Sequence, residues 1–228
     1  MINKKHDFKL YSKWMMLALT LSLALSLQIQ PIVSHSTQIS LDAQHLLLTS
    51  SVDKDKDGID DYTDIMLGAR ADAINMPFYD DSYFAGGYPP DDIGVCADTI
   101  WRALMAAGYN LKDLIDEDIR NHPEAYPRIS KPDPNIDFRR VRNLRIFFDR
   151  HLVSLTVNIY EIDQWQPGDI VIMYEDFHHT GIVSDQRNFM GIPYLIHNTG
   201  QRDREEDILM YAYYHAKITR HYRWIYTP

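Results

Sequence analysis

Cys96 is the single cysteine of this chain, and it stands at the head of a stretch with helical apolar spacing, "GVCADTIWRALMAAG", residues 94–108. Ala97, Ile100, Trp101, Leu104 and Ala107 recur on one face, and Gly108 supplies a stop. A thiol with a pKa of about 8.5 is mostly protonated at neutral pH. At a helix start, unpaired backbone N–H groups and the macrodipole favour its thiolate. The same N–H groups suit the oxyanion of an acyl-transfer intermediate. A free cysteine on a helix face is equally often a small buried hydrophobe. On this stretch alone the two readings are even.

Histidines downstream weigh on the choice. "HHTGIVSD" reads as a strand in which His179, Gly181 and Val183 take one face and His178, Thr180 and Ile182 the other. "YLIHNTG" places His197 at the end of an apolar strand, with Asn198 beside it. Cysteine, then a strand histidine, then a polar residue on the next strand is a nucleophile, base and orienter arrangement. A zinc site built from Cys96, His178, His179 and His197 ranks lower, because close-spaced ligand pairs are missing.

A second group of candidates lies in "DKDKDGIDDYTD". Asp53, Asp55, Asp57, Asp61 and Asp64 occupy positions 1, 3, 5, 9 and 12 of an EF-hand-like calcium loop, with Gly58 at position 6. Asp64 replaces the usual bidentate glutamate. The alternative is an acidic solvated turn that caps the next helix. The expected ion is a structural calcium; no cofactor is expected for catalysis. In "FRRVRNLRIFF", Arg139, Arg140, Arg142 and Arg145 read as helix arginines paired with nearby acids. The competing role is a clamp for substrate carboxylates.

The elements that must position these residues fall in two blocks. A helix from about Tyr62 follows the acidic loop, residues 77–94 are loop-like, and Asp92 is placed to cap the cysteine helix. "LKDLIDEDIRNH" and "FRRVRNLRIFFDRH" are further helices, separated by a proline-rich connector at residues 123–134. "SLTVNIY", "GDIVIMY", "HTGIVSD", "PYLIHN" and "AKITRHYRWIY" then read as strands of an antiparallel sheet. Helices first and strands second make an α+β domain. "LDAQHLLLTS", residues 41–50, reads as a short helix ahead of all this.

At the N-terminus, Lys4, Lys5, Lys9 and Lys13 precede the apolar run Trp14–Leu27, and Pro31 follows. That is the pattern of a secretory signal peptide, short for a membrane span of about 20 apolar residues. A cut after Ser36 is one outcome; an uncleaved membrane anchor is the other. Residues 1–36 hold four lysines and one aspartate, so the remainder carries −12 where the whole chain carries −9. An acidic body is a poor nucleic-acid binder. One cysteine in an exported chain also leaves no intrachain disulfide. The expected division is 1–36 as signal or anchor, 37–74 as a helical extension carrying the acidic loop, and 75–228 as the catalytic domain.

"YFAGGYPPDDIGVCADTIW", "PGDIVIMY", "HTGIV" and "YLIHNTG" together resemble the NlpC/P60 and CHAP branch of papain-like cysteine peptidases. A closer resemblance is to the bacterial family catalogued as domain of unknown function 1287, through "GVCADTIWRAL", "NIDFRRVRNL", "PGDIVIMY", "HTGIVSD", "IHNTG" and "HYR", over about residues 75–224. The resemblance implies a papain-like fold, with Cys96 as nucleophile, His179 as base and His197 as third member, Asn198 being the alternative orienter. Tyr83 is the implied oxyanion-assisting tyrosine, with Tyr88 as alternate. Val95 before the cysteine, Ala97 and Asp98 after it, and Phe138 in place of an expected histidine depart from the pattern. The implied activity is amide hydrolysis by an exported enzyme, extracellular, wall-associated or periplasmic, on peptidoglycan stem peptides or another peptide. A non-catalytic, calcium-stabilised cell-wall binding domain with a relict site is the rival expectation.

Overall fold

The computed structural model describes residues 47–174 and 178–226. The lysine-flanked apolar run, Ser36 and most of "LDAQHLLLTS" lie outside them; Leu47–Ser50, the described end of that stretch, is not helical. Among the described residues no helix is long and apolar enough to cross a membrane.

Helix α1, Asp61–Asn75, follows the acidic loop directly, with Asp60 as its N-cap. Two short strands, β1 (Phe78–Tyr79) and β2 (Ile93–Gly94), pair in parallel and deliver the chain into helix α2, Cys96–Ala106. Helix α3 spans Leu111–Asn121, and helix α4, Val141–His151, follows two 3-10 turns, Pro123–Ala125 and Asp137–Arg139. The expected long arginine helix therefore starts later than its sequence pattern indicates.

The second block is a six-stranded sheet in the order β3-β8-β4-β5-β6-β7, antiparallel at every pairing. Its strands are β3 (Val153–Ser154), β4 (Ile170–Met173), β5 (His179–Arg187), β6 (Pro193–Ile196), β7 (Glu205–Glu206) and β8 (Ile218–Arg223). The architecture is α+β, as the order of patterns indicated.

Strand alternation sorts the apolar residues between two cores. Ile170, Ile172, Ile182 and Ile196 pack with Ile100 and Leu104 of α2, whereas Val171, Met173, Val183 and Leu195 pack with Trp165 and Leu209 on the other side. Helix α1 contributes Ile65, Met66 and Ala69 to the α2 core. A compact unit accordingly begins at Leu48. The expected boundary at residue 75 is corrected: α1 cannot be a separate extension, since its apolar face is part of the main core.

Gly168 joins the blocks. Its φ of +85° is strained for other residues, and an added Cβ would lie 2.4 Å from the Tyr62 carbonyl oxygen. The Pro-Gly turn before β4 thus fits directly against the first turn of α1.

Candidate active site

The start of α2 is held by an aspartate inside the helix. Val95, not Asp92, is the N-cap, and the Asp98 carboxylate accepts the Val95 N–H at 2.7 Å and the Trp101 indole N–H at 2.7 Å. Arg139 closes the arrangement with a two-pronged contact, Nε and Nη2 each 2.8 Å from Asp98. Both side chains are essentially fully buried. Asp98, a departure from the peptidase pattern, is therefore an internal cap, and Arg139 is its counter-charge. Arg102 adds a bond to the Ile93 carbonyl at 2.7 Å, tying β2 to α2.

These contacts place Cys96 at the first helical position, 5% exposed. Its sulfur faces the backbone N–H groups of Thr180, Ala97 and Cys96 itself. The sulfur thus lies at the head of β5, beside the residue that follows His179. Burial pushes the thiol up to about 11, and the Asp98 charge adds to the rise, while the N–H groups oppose it.

His179 and His197 meet, with Nε2 of the first 2.9 Å from Nδ1 of the second. Both rings are 2% exposed. Burial pulls His179 down to about 3, helped by His197, and His197 down to about 4, helped by the Arg204 charge. His197 Nε2 lies 3.4 Å from Glu206 Oε2 on β7, a strand the sequence did not reveal. Gly181 permits the meeting: an added Cβ would lie 2.8 Å from the Ile196 carbonyl oxygen and 3.0 Å from His197 Cβ.

His179 and His197 thus meet as a pair across β5 and the end of β6, while the Cys96 sulfur lies by the Thr180 N–H at the head of β5. The charge state differs from a thiolate–imidazolium pair. Burial favours a neutral thiol and neutral imidazoles at rest.

Cys96 opens on a cleft of about 360 Å³ that Tyr79, Asp81, Arg140, Arg142 and His178 also line. His178 is therefore the histidine on the open side, and His179 the one on the buried side, as strand alternation requires. Arg140 and Arg142 form no salt bridge among the described residues, whereas Arg145 pairs with Asp149 at 3.5 Å. The four arginines thus divide: Arg139 and Arg145 are paired, and Arg140 and Arg142 face the cleft. A larger groove of about 450 Å³ between α1 and α2 holds no cysteine or histidine.

Three expected site residues stand elsewhere. The Tyr83 hydroxyl accepts from Asn135 Nδ2 at 2.7 Å in an exposed position. Tyr88 packs its ring on Trp101 and donates to Asn110. Asn198 donates to the carbonyls of Gly94 at 3.0 Å and Pro77 at 3.4 Å, so it anchors β1 and β2 to β6. Its role is to fix the strand that leads into Cys96. The tyrosine that the site does contain is Tyr79, whose phenol is raised by burial and by Cys96. Its register partner is Gly94, two residues before the cysteine. A two-residue parallel strand leaves no periodic signal, so the sequence could not choose it over Tyr83.

The chain matches the model of the domain of unknown function DUF1287 over residues 66–224. It belongs to the DUF1287 family. It is also 37% identical over 166 residues to the uncharacterized protein YijF of Escherichia coli (strain K12), covering 69% of this chain and 78% of that protein. No solved structure matches it. Two DUF1287 landmarks read from this sequence, "PGD" and "HYR", meet away from the cleft. Asp169 accepts from Arg223 at 2.7 and 2.8 Å and lies 2.9 Å from His221 Nε2. His221 stacks on Trp165 at 4.0 Å, and its Nδ1 bonds the Thr156 carbonyl at 2.8 Å. That cluster holds β8 against β4 and the turn before it.

The acidic loop keeps part of its expected set. Carboxylate oxygens of Asp53, Asp55 and Asp57 lie within 4.8 Å of one another, and among the described residues theirs is the group that gathers at metal-ligand spacing. The Cys-His zinc arrangement does not. Asp61 is already engaged, accepting the Lys54 N–H at 2.8 Å and the Tyr109 hydroxyl.

Proposed function

We propose that this DUF1287 protein is an exported cysteine hydrolase of papain-like architecture that cleaves an amide bond in peptidoglycan stem peptides. One observation carries the reading: the Cys96 sulfur meets the Thr180 N–H at the head of β5, and the preceding residue, His179, meets His197 through Nε2. A base that holds its orienter through Nε2 works through Nδ1.

In this mechanism a neutral His179 takes the thiol proton as the sulfur attacks the amide carbonyl, so no resting thiolate is required. The new C–S bond forms while the carbonyl electrons move to oxygen. The Cys96 N–H and the Tyr79 hydroxyl, in place of Tyr83, stabilise that oxyanion. His179 then returns the proton to the leaving amine, and the C–N bond breaks to leave a thioester. Water, giving its proton to His179, hydrolyses the thioester and restores the thiol.

His197 and Glu206 hold the His179 ring. Arg140 and Arg142 suit a peptide carrying carboxylates. Export rests on the lysine-flanked apolar run, and peptidoglycan on the likeness of the motifs to NlpC/P60 peptidases. The second reading, a wall-binding module with a relict site, is favoured by the burial that pushes the Cys96 thiol up to about 11.

The deciding experiment is a muropeptide mass analysis of peptidoglycan incubated with the full chain and, separately, with Cys96→Ala. New fragments from the wild type alone support the hydrolase, and their masses identify the bond. Identical profiles with retained wall binding support the module.

A further inference from the structure

Outside the cleft, the segment before α1 carries a charge arrangement that hydrolysis does not use. Asp53, Asp55 and Asp57 converge to within 4.8 Å although no basic side chain pairs with them among the described residues. The backbone is shaped for that convergence. Lys56 and Gly58 both take positive φ, +66° and +97°. The N–H groups of Lys56 and Gly58 donate to Asp53 at 2.7 and 3.0 Å, and that of Ile59 donates to Asp57 at 2.8 Å.

Loop shape alone would be compatible with a solvated acidic turn. Asp64 is the separate observation. It sits on the first turn of α1, 6% exposed, and among the described residues its Oδ2 is buried with no hydrogen-bond partner. A buried carboxylate oxygen left unpaired costs folding energy unless something binds it. Asp64 closes the twelve-residue run that opens at Asp53, so its unpaired oxygen comes at the last position of the same loop.

We propose that Asp53, Asp55, Asp57 and Asp64, with the backbone carbonyl of Ile59, form a calcium site. Several carboxylate oxygens and a carbonyl around a flexible loop are a donor set for a hard cation with ligands at about 2.3–2.6 Å. Magnesium, which demands a tighter octahedron and keeps its water, suits the loop less. Asp61 is not a ligand but a brace, because the Lys54 N–H and the Tyr109 hydroxyl occupy its two oxygens.

The site bears on the cysteine helix. Gly108, which ends α2 with φ +77°, lies against the loop so closely that an added Cβ would be 3.0 Å from Asp55 Cβ. The ion therefore ties the loop, the first turn of α1 and the far end of α2 together. Its role is to stabilise the packing of α1 on α2, independently of whether the cleft is catalytic.

The test uses the full chain, stripped with chelator and titrated calorimetrically with calcium chloride, then melted with and without calcium at about 1 mM, the range of extracellular modules. One binding event per chain and a higher melting temperature in calcium than in equimolar magnesium are expected. Asp64→Asn should weaken calcium binding at least about tenfold while raising the metal-free melting temperature, since it removes an unpaired buried charge. Asp55→Asn, an exposed position that leaves the fold intact, should weaken binding as well. No calcium-dependent heat or melting shift would overturn the proposal, as would equal stabilisation by magnesium. Calcium binding by Asp64→Asn at wild-type affinity would also overturn it.

Discussion

Two buried histidine clusters sit on the same sheet, and they differ in how their polar atoms are satisfied. Around His221, every polar atom is closed off: one ring nitrogen meets the Thr156 carbonyl, the other meets Asp169, and Arg223 neutralises that carboxylate. The ring is further clamped by Trp165. Around His179, the ring meets another imidazole, and the nearest carboxylate of that cluster, Glu206, stands one residue further on, 3.4 Å from His197. Burial then drives both imidazoles towards neutrality. A histidine tied to a carboxylate and an arginine is a fixed strut. A buried histidine kept neutral and held by another imidazole is able to accept a proton.

The largest expected effect separates the clusters by activity. Cys96→Ala should lower kcat on the order of 10⁶-fold, and His197→Ala on the order of 10⁴-fold, measured on the released peptides. His179→Ala should resemble the cysteine variant, whereas His178→Ala, on the open side of the cleft, should raise KM with little loss of kcat. If His178→Ala proved the more damaging of the two, the base would be reassigned across the strand.

His221→Asn should show the reverse pattern. It should destabilise by about 1–3 kcal/mol in urea unfolding, by leaving Asp169 short of a donor, with kcat unchanged below the melting transition.

Acid sharpens the contrast further. His179 and His197 have folded pKa values near 3 and 4, below the unfolded value of 6.5. The unfolded chain binds the extra protons, so their contribution is present above about pH 6.5 and is lost as pH falls through about 4 to about 3. Melting temperature should drop over that window, and His179→Asn should flatten the slope.

A smaller effect reports on the thiol. Alkylation of Cys96 by iodoacetamide, followed by mass, should rise about tenfold per pH unit to about pH 10. A plateau below pH 8 would reveal a resting thiolate and contradict the neutral pair.

The order of elements was readable because α2 and the strands β4, β5, β6 and β8 carry long apolar patterns. What escaped has little periodicity or depends on distant partners. "SLTVNIY" has strand composition, yet of its residues only Ser154 lies in β3, because the chain then turns through the Thr156–Asn158 contact. Strands β1, β2 and β7 are two residues each, which hides both Tyr79 and Glu206. Asp98 looked like a departure from the peptidase pattern until Arg139, 41 positions away, supplied its counter-charge. The positions of Cys96 at a helix start and of His179 and His197 on neighbouring strands were legible from residue type and apolar spacing. Their protonation was not, since it follows from burial that only the folded chain creates.

The most direct test of the proposed hydrolase is to trap the acyl-enzyme that its mechanism requires. The full chain would be mixed with a peptidoglycan stem peptide, quenched in acid within the first turnover and measured by intact-protein mass, with Cys96→Ala beside it. A mass gain equal to the acyl fragment, mapped to Cys96 as a thioester and lacking in the variant, is expected. Peptide cleavage with no acyl adduct, retained in Cys96→Ala, would contradict it.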